Sequence, residues 1–494
     1  MSLYTAELLE LLESKMISGP LPSYITGMTM DSRTVTPGDL FLCISGTVAD
    51  GHTYAEEAWR RGAVLIVAEK EIECLPPSAC LVIVKNSLKA MTLLAHHFYG
   101  YPSSRMNVIG VTGTNGKTTV TRLIHDILSL SGKKAASAGT LGFLLGQKLT
   151  PSPNTTSDIL SNLQFLKTAE EAGCHDAAFE VSSQGLLNGR IDGIEFDVAV
   201  FTNLTHEHLD YHRTMERYAH AKGLLFSQLG QNINKKKYAV INSDDPWGPY
   251  FSSLTPHETI TYGLTPSADF YAEQMIMTER GISFLMHSPE GAFPVHTQYI
   301  GTFNVYNILA AAAALYASGY KVEKVVSCLP KVLPPAGRME RISGTDGPAV
   351  YVDYAHTPDA IGKAINSLLP FKKGKLIIMI GGGNYKDPSK RPLMAREASL
   401  ADYVVITTNN PGLEPPKKIL ANFEQGMQHS SYILIENRAE AIRHAVISAS
   451  KDDIVLLTDK GHETTLLIGT KKVPHSDKAI ALEALAEHTD TLMA

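Results

Sequence analysis

The stretch Val108-Ile109-Gly110-Val111-Thr112-Gly113-Thr114-Asn115-Gly116-Lys117-Thr118-Thr119 constrains this chain more than any other. It opens with β-branched residues, turns through glycines and ends in Lys-Thr-Thr before a helical pattern. That is the layout of a phosphate-binding loop. Backbone N–H groups in the glycine turn point at phosphate oxygens, and the next helix presents its positive end to the same anion. Lys117 has the reach for β- and γ-phosphates, and the Thr118 hydroxyl is a ligand type for Mg²⁺. The strict spacing G-x-x-x-x-G-K-[ST] is not met, because its first glycine falls on Val111. A strand-to-helix turn that bound nothing would have no need of the Gly-Lys-Thr ending.

A chain of 494 residues exceeds one hydrophobic core and predicts about three domains. The net charge of −6 weighs against nucleic acid or an anionic membrane as the main partner, so anion binding falls to local sites. Five cysteines without zinc spacing read as reduced core residues of a cytoplasmic protein. The sequence has neither a signal-peptide pattern nor a run of about 18 apolar residues for a membrane span.

The expected fold class is α/β in three domains, over residues 1–103, 104–335 and 336–494. The first is a small α/β domain. It has a helix over 3–15, a turn and strand over 37–44, strands over 63–68 and 80–84, a helix ending at Tyr99 and a linker over 101–104. The central domain follows the phosphate loop with strands over 176–181, 196–201 and 238–241, each running into a polar loop. Short apolar strands alternating with helices indicate a parallel sheet covered on both faces. Residues 258–300 read as an antiparallel portion, and an Ala-rich helix follows. The last domain repeats the alternation, with strands over 349–352, 375–380, 403–407, 432–435 and 453–458. In such sheets ligands bind at the carboxyl ends of strands. The triple glycine at 381–383 lacks the G-x-G-x-x-G spacing of a dinucleotide site.

Glu180 and His208 fall just past predicted strands of the central domain. With Thr118 and phosphate oxygens, a carboxylate makes a sensible Mg²⁺ shell, and a histidine completes a second site. The plainer alternatives are a helix-start carboxylate for Glu180 and a hydrogen-bonded strand-end histidine for His208. By pattern alone Lys222, on a helical run rich in Ala and Leu, is a solvated lysine. Arg338 follows Pro334-Pro335-Ala336-Gly337, which has the composition of a hinge. An arginine there could swing onto a γ-phosphate on domain closure, or simply sit on the surface.

Taken together, GTNGKTT (113–119), EVSS (180–183), TNLTHEHLDYH (202–212), FNVYN (303–307), GRME (337–340) and DYAHTPD (353–359) resemble the Mur ligases. These are ATP-dependent amide-forming enzymes of peptidoglycan precursor synthesis, and the resemblance is strongest to the tripeptide-synthetase type. It implies an N-terminal UDP-binding domain, a central domain for ATP and Mg²⁺, and a C-terminal Rossmann-like domain for the incoming amino acid. By motif position, Met30, Ser32, Thr47, Val48 and Ala49 hold the UDP end. Asn154, Thr155, Thr156, Ser182, Asn188 and Arg190 hold the muramoyl peptide. Gly113, Thr114, Asn115, Gly116, Lys117, Thr118 and Thr119 hold ATP phosphates. Asn304 and Asn307 serve the adenine side, and Arg338, Asp353 and His356 reach the nucleotide from the last domain. Thr118, Glu180, His208 and Lys222 are the implied metal-site residues, with Lys222 matching a lysine that is carbamoylated in this family. The implied reaction passes through an acyl phosphate, in a cytoplasmic monomer acting on small molecules.

The acceptor site departs from the pattern. Diaminopimelate-adding relatives carry Asp-Asn-Pro-Arg, where this chain has Asn409-Asn410-Pro411-Gly412. A second arginine, after the glycines, is replaced within Asn384-Tyr385-Lys386-Asp387. A bound carboxylate would lose a bidentate partner at each place. Asp459 and Glu463 offer carboxylates to a side-chain ammonium. Tyr385, Lys386, residues 409–412, Asp459 and Glu463 are therefore read as acceptor-binding, favouring lysine or a shorter diamino acid over diaminopimelate. Addition of diaminopimelate, a folylpolyglutamate-synthase-like amide ligase and a non-catalytic nucleotide-binding protein are the alternatives.

Overall fold

The computed structural model describes residues 2–46, 49–152, 154–344, 347–383 and 387–493. It divides into two compact units, Met1–Ile109 with Lys134–Phe196, and Gly110–Lys133 with Asp197–Ala494.

The first unit opens with a five-stranded sheet in the order Lys15–Ser18, Cys80–Val84, Leu65–Ala68, Asp39–Leu42, Gly27–Thr29. All neighbours are parallel except the first pair. Leu65–Ala68 and Asp39–Leu42 are buried along their whole length, as unbroken aliphatic runs in a covered parallel sheet must be. The helix Ser87–Tyr99 is capped by the Asn86 side chain and closed by Gly100 at φ +70°. The helix expected over 3–15 is much shorter. Only Thr5–Glu10 is helical, Leu3–Tyr4 pairs with Tyr24–Ile25, and Lys15–Ser18 completes the sheet edge. Tertiary strand pairing overrides a helical rhythm that could form barely two turns. The expected linker is likewise ordered: Pro102–Arg105 is a 3₁₀ turn, and the buried Ser103 hydroxyl accepts from the Glu195 N–H at 3.1 Å. The unit also holds strands in the order Lys148–Thr150, Gly142–Leu145, Ala135–Gly139, Asp176–Glu180, the last two parallel.

In the second unit Val198–Phe201, Tyr238–Asn242, Glu258–Gly263 and Phe270–Thr278 run parallel in that order. Gly281–Ser288 and Gly291–Thr297 extend them antiparallel. The antiparallel portion expected over 258–300 thus begins only after Phe270–Thr278. The helix Thr302–Ala317 buries Leu309 through Leu315 completely; small alanines let neighbouring backbones approach from all sides. A six-stranded sheet follows, ordered Glu340–Arg341, Ala349–Val352, Ile454–Leu457, Leu376–Gly382, Tyr403–Thr408, Tyr432–Leu434, parallel apart from its first pair. One face packs Ile361, Ile365 and Leu368; the other packs Ala441, Ile442 and Ala445. This Rossmann-like layering sends the loops after Ala349–Val352, Leu376–Gly382 and Ile454–Leu457 to one end of the sheet. The triple glycine permits close packing there. A Cβ on Gly383 would overlap the Asn409 carbonyl, and one on Gly381 would lie 2.8 Å from the Arg438 guanidinium. Among the described residues no helix is long and apolar enough to cross a membrane.

Candidate active site

The strand Asn107–Thr112 runs into the glycine loop, and the helix Lys117–Leu130 begins at its end. Gly113 and Gly116 have φ of +147° and +91°, backbone that side-chain-bearing residues rarely adopt. A Cβ at Gly116 would also lie 2.5 Å from Asn307 Oδ1. The Thr114 and Asn115 N–H groups are already used, donating to the Asn203 carbonyl at 2.8 Å and Asn203 Oδ1 at 3.0 Å. The anion-binding reading of the glycine turn is corrected to this extent: it rests on the Gly116–Thr119 end, where the helix dipole is positive. Lys117 Nζ folds back onto the carbonyls of Gly113 (2.8 Å) and Thr114 (2.7 Å).

Lys222 lies on the helix Met215–Leu229 and is only 1% exposed, so the solvated reading is wrong. Its ammonium donates to the Gly113 carbonyl at 2.8 Å and sits 4.5 Å from the Tyr218 ring centroid. Burial holds its pKa well below the usual lysine value, and neighbouring Lys117 pushes the same way. His208, at φ +55°, starts the short helix Leu209–His212. Desolvation lowers its pKa to about 4, with Lys222 and Lys117 adding to the effect and Glu207 opposing it. The lowered value leaves the imidazole neutral near pH 7, with nearly half of its side chain open to solvent.

Arg338 reaches the loop: Nη2 donates to the Thr118 hydroxyl at 3.0 Å while the guanidinium lies 4.5 Å from the Tyr354 ring centroid. Asp353 builds the turn that carries it. Oδ2 accepts from the Met339 N–H at 2.7 Å and Oδ1 from the Ala355 N–H at 2.8 Å. Burial raises the Asp353 pKa, and Arg338 opposes the rise. His356 Nδ1–H donates to the Tyr354 carbonyl (2.7 Å), and Nε2 lies 3.1 Å from Glu207. Beside the loop lies a cavity of about 350 Å³ whose lining includes Gly116, Thr119, Asn304, Asn307 and Arg338. Asn304 Nδ2 donates to the Ile300 carbonyl (2.8 Å), and its Oδ1 accepts from Asn307 (2.9 Å), which turns Asn307 Oδ1 toward Gly116.

In the first unit, Glu180 is buried and its carboxylate accepts from the Thr140 N–H (2.8 Å) and hydroxyl (3.0 Å). The Thr140 and Thr155 hydroxyls are 3.0 Å apart. Thr156 donates to the Glu180 carbonyl (2.9 Å), and Arg190 donates to the Thr156 carbonyl (2.9 Å). The Ser182 hydroxyl lies 3.1 Å from that of Thr156. Glu180, Thr155, Thr156, Ser182 and Arg190 thus form one polar cluster, while Asn154 and Asn188 are exposed outside it. Ser32 donates to Glu57 at 2.8 Å, and Met30 and Ala49 are exposed. Thr47, Val48, Tyr385 and Lys386 lie outside the described residues.

The acceptor residues gather around a lysine that sequence reasoning did not single out. Buried Lys460 donates to Glu463 (3.0 Å), Asn409 (3.2 Å) and Asn410 (3.4 Å). Glu463 also accepts from the Tyr354 hydroxyl at 3.2 Å. Asp459 is buried at φ +80°, and its carbonyl accepts from Asn409 at 3.3 Å. Pro411 is buried, and the Gly412 N–H serves the backbone, donating to the Leu467 carbonyl at 3.1 Å. Glu207 has no role in the sequence reading, where His206-Glu207 is only a tolerated replacement for the more common Arg-Asp or Gln-Asp, although an acidic residue beside His208 in a strand-end motif was the available signal. Its carboxylate is buried between His356 and Lys390.

Three family profiles match the chain: "Mur ligase family, catalytic domain" over residues 24–99, "Mur ligase middle domain" over 111–315, and "Mur ligase, glutamate ligase domain" over 337–461. UDP-N-acetylmuramyl-tripeptide synthetase 2 of Oceanobacillus iheyensis is 46% identical, over 98% of this chain and 99% of its own length. UDP-N-acetylmuramoyl-L-alanyl-D-glutamate--2,6-diaminopimelate ligase of Geobacillus thermodenitrificans is 44% identical, over 94% and 95%. UDP-N-acetylmuramoyl-L-alanyl-D-glutamate--L-lysine ligase of Staphylococcus aureus is 40% identical, over 95% of both chains. With family profiles matched in order from residue 24 to residue 461 and relatives 40–46% identical along nearly the whole length, this chain belongs to the Mur ligase family.

Proposed function

We propose that the protein is an ATP-dependent, ADP-forming ligase that adds the third amino acid to UDP-N-acetylmuramoyl-L-alanyl-D-glutamate, working in the cytoplasm as a monomer. The observation that carries this is the Arg338–Thr118 bond, which brings a cation onto the hydroxyl at the start of the phosphate-loop helix. The glutamyl carboxylate attacks the γ-phosphorus of ATP, ADP leaves, and the resulting acyl phosphate is captured by the acceptor's amine with release of phosphate. Lys117 and Arg338 stabilise charge on the transferring group.

Residues 1–103 take the UDP end through Met30, Ser32, Thr47, Val48 and Ala49. Thr155, Thr156, Ser182 and Arg190, with Asn154 and Asn188, take the muramoyl peptide. Residues 104–335 take ATP, and 336–494 the acceptor. Among the described residues no three His, Cys, Asp or Glu side chains converge as a cage. The Thr118 hydroxyl, the Glu180 carboxylate and the His208 imidazole are each a ligand type for a hard cation. They are the residues that would hold Mg²⁺, which would supply charge neutralisation when bound. Burial biases Lys222 toward the neutral amine, the form that reacts with CO₂, and its carbamate would bring a further carboxylate-like group.

Lysine or a shorter diamino acid is the favoured acceptor, because Gly412 offers no guanidinium to a second carboxylate; the Glu463 carboxylate is held by Lys460 and Tyr354, and Asp459 is buried. The relatives include both a diaminopimelate ligase and an L-lysine ligase, so diaminopimelate is the alternative. Purified protein given ATP, Mg²⁺, the UDP-muramoyl dipeptide and one of lysine, ornithine, diaminobutyrate or diaminopimelate decides between them. Tripeptide is expected with lysine or a shorter diamino acid; robust diaminopimelate incorporation without lysine activity would overturn the preference.

A further inference from the structure

The loop after Val198–Phe201 carries His206 and Glu207, and both reach side chains of the region after residue 336. Glu207 is 6% exposed. One oxygen lies 3.1 Å from His356 Nε2 and 3.6 Å from Lys390 Nζ; the other lies 4.0 Å from His208 Nε2. His206 Nε2 lies 4.0 Å from the Asp387 carboxylate. The contacts continue inward. His356 Nδ1 meets the Tyr354 carbonyl, the Tyr354 ring carries the Arg338 guanidinium, and Arg338 bonds Thr118.

A buried carboxylate is costly unless cations accompany it, and removing one partner leaves the charge uncompensated. Two of the cationic or proton-donating groups around Glu207, His356 and Lys390, come from the C-terminal region. If that region swung away, Glu207 would lose both. We propose that Glu207 is a positioning residue, a latch whose charge is satisfied only when the C-terminal region is closed over the phosphate loop. Through His356 and Tyr354 it sets where Arg338 sits. Closure matters because the acyl phosphate must meet the acceptor amine before water does. Its activity readout rests on the ligase reading above.

The test compares the wild type with Glu207→Gln, Glu207→Asp and Lys390→Met in two measurements. The first is the ratio of phosphate released to tripeptide formed. The wild type should give a ratio of one; Glu207→Gln should lower kcat about tenfold or more and raise the ratio above one, because intermediate leaks to water. Glu207→Asp, which keeps the charge, should restore much of the coupling, and Lys390→Met should uncouple without adding to Glu207→Gln. A purely structural defect would reduce active enzyme and leave the ratio at one. The second is backbone hydrogen exchange over 353–357 and 387–391, which should quicken in Glu207→Gln whether or not the protein turns over. Unchanged exchange, or a ratio of one with reduced rate, overturns the latch. A wild type that forms no tripeptide while Glu207→Gln still quickens exchange would count against the ligase reading and leave the latch standing.

Discussion

Lys222→Ala is expected to lower the ligation rate by about 10²- to 10³-fold, the range seen when one preorganised electrostatic group is removed. Millimolar formate or acetate should restore part of it. The reasoning starts from the environment. Lys222 is sealed against Gly113 and Tyr218, with Lys117 close by. An ammonium there faces a like charge in a site of low polarisability, so the neutral amine is favoured. Converted to a carbamate, the side chain becomes an anion that complements Lys117 and a metal. A small carboxylate diffusing into the space left by alanine would supply the same charge. Lys222→Arg should be as inactive as alanine and gain nothing from added carboxylate. Wild-type-like activity in Lys222→Arg, or no response of Lys222→Ala to formate or acetate, would show that a plain cation suffices.

Arg438→Met is expected to destabilise the C-terminal region by about 3–5 kcal/mol, the cost of stranding one member of a buried ion pair. Both side chains are fully buried. Arg438 Nε and Nη2 reach the Asp477 carboxylate at 2.9 Å and 2.5 Å, and Nη2 also donates to the Thr458 carbonyl at 2.6 Å. Asp477 opens the final helix, Asp477–Met493. Despite burial, Arg438 and His475 hold its pKa down to about 2, so its charge persists across the working pH range. Without the arginine the buried carboxylate keeps only His475, whose Nε2 lies 2.8 Å from Oδ1, and one oxygen loses its cation. At a few degrees per kcal/mol for a region of this size, calorimetry should record a fall of roughly 10 °C or more. The double variant Arg438→Met with Asp477→Leu should recover most of it, since an apolar pair of similar volume often matches a buried ion pair. A shift under about 1 °C in the single variant would mean that water reaches the pair.

The phosphate loop was legible because its chemistry is local: the glycines, the lysine and the helix start lie within a few residues. The parallel sheets were legible because covered strands are unbroken apolar runs, as at Leu65–Ala68 and Leu376–Gly382. Lys222 was not legible from pattern. Its burial depends on a carbonyl more than a hundred positions away, brought to it by the fold. Glu207 and Lys460 were missed for the same reason, since each draws meaning from partners on other elements. The helix expected over 3–15 failed because a sheet edge competed for Lys15–Ser18. The anion reading of the glycine turn shifted toward Gly116–Thr119 because Asn203, from another loop, occupies two N–H groups.

The central claim is that this loop activates a substrate carboxylate by phosphoryl transfer. It is tested most directly with UDP-N-acetylmuramoyl-L-alanyl-D-glutamate labelled with ¹⁸O in the glutamyl side-chain carboxylate, incubated with ATP, Mg²⁺ and the accepted amino acid. Mass spectrometry should find one ¹⁸O in each inorganic phosphate released, with ADP and tripeptide formed in equal amounts. Unlabelled phosphate, or AMP and pyrophosphate in place of ADP and phosphate, would contradict the account.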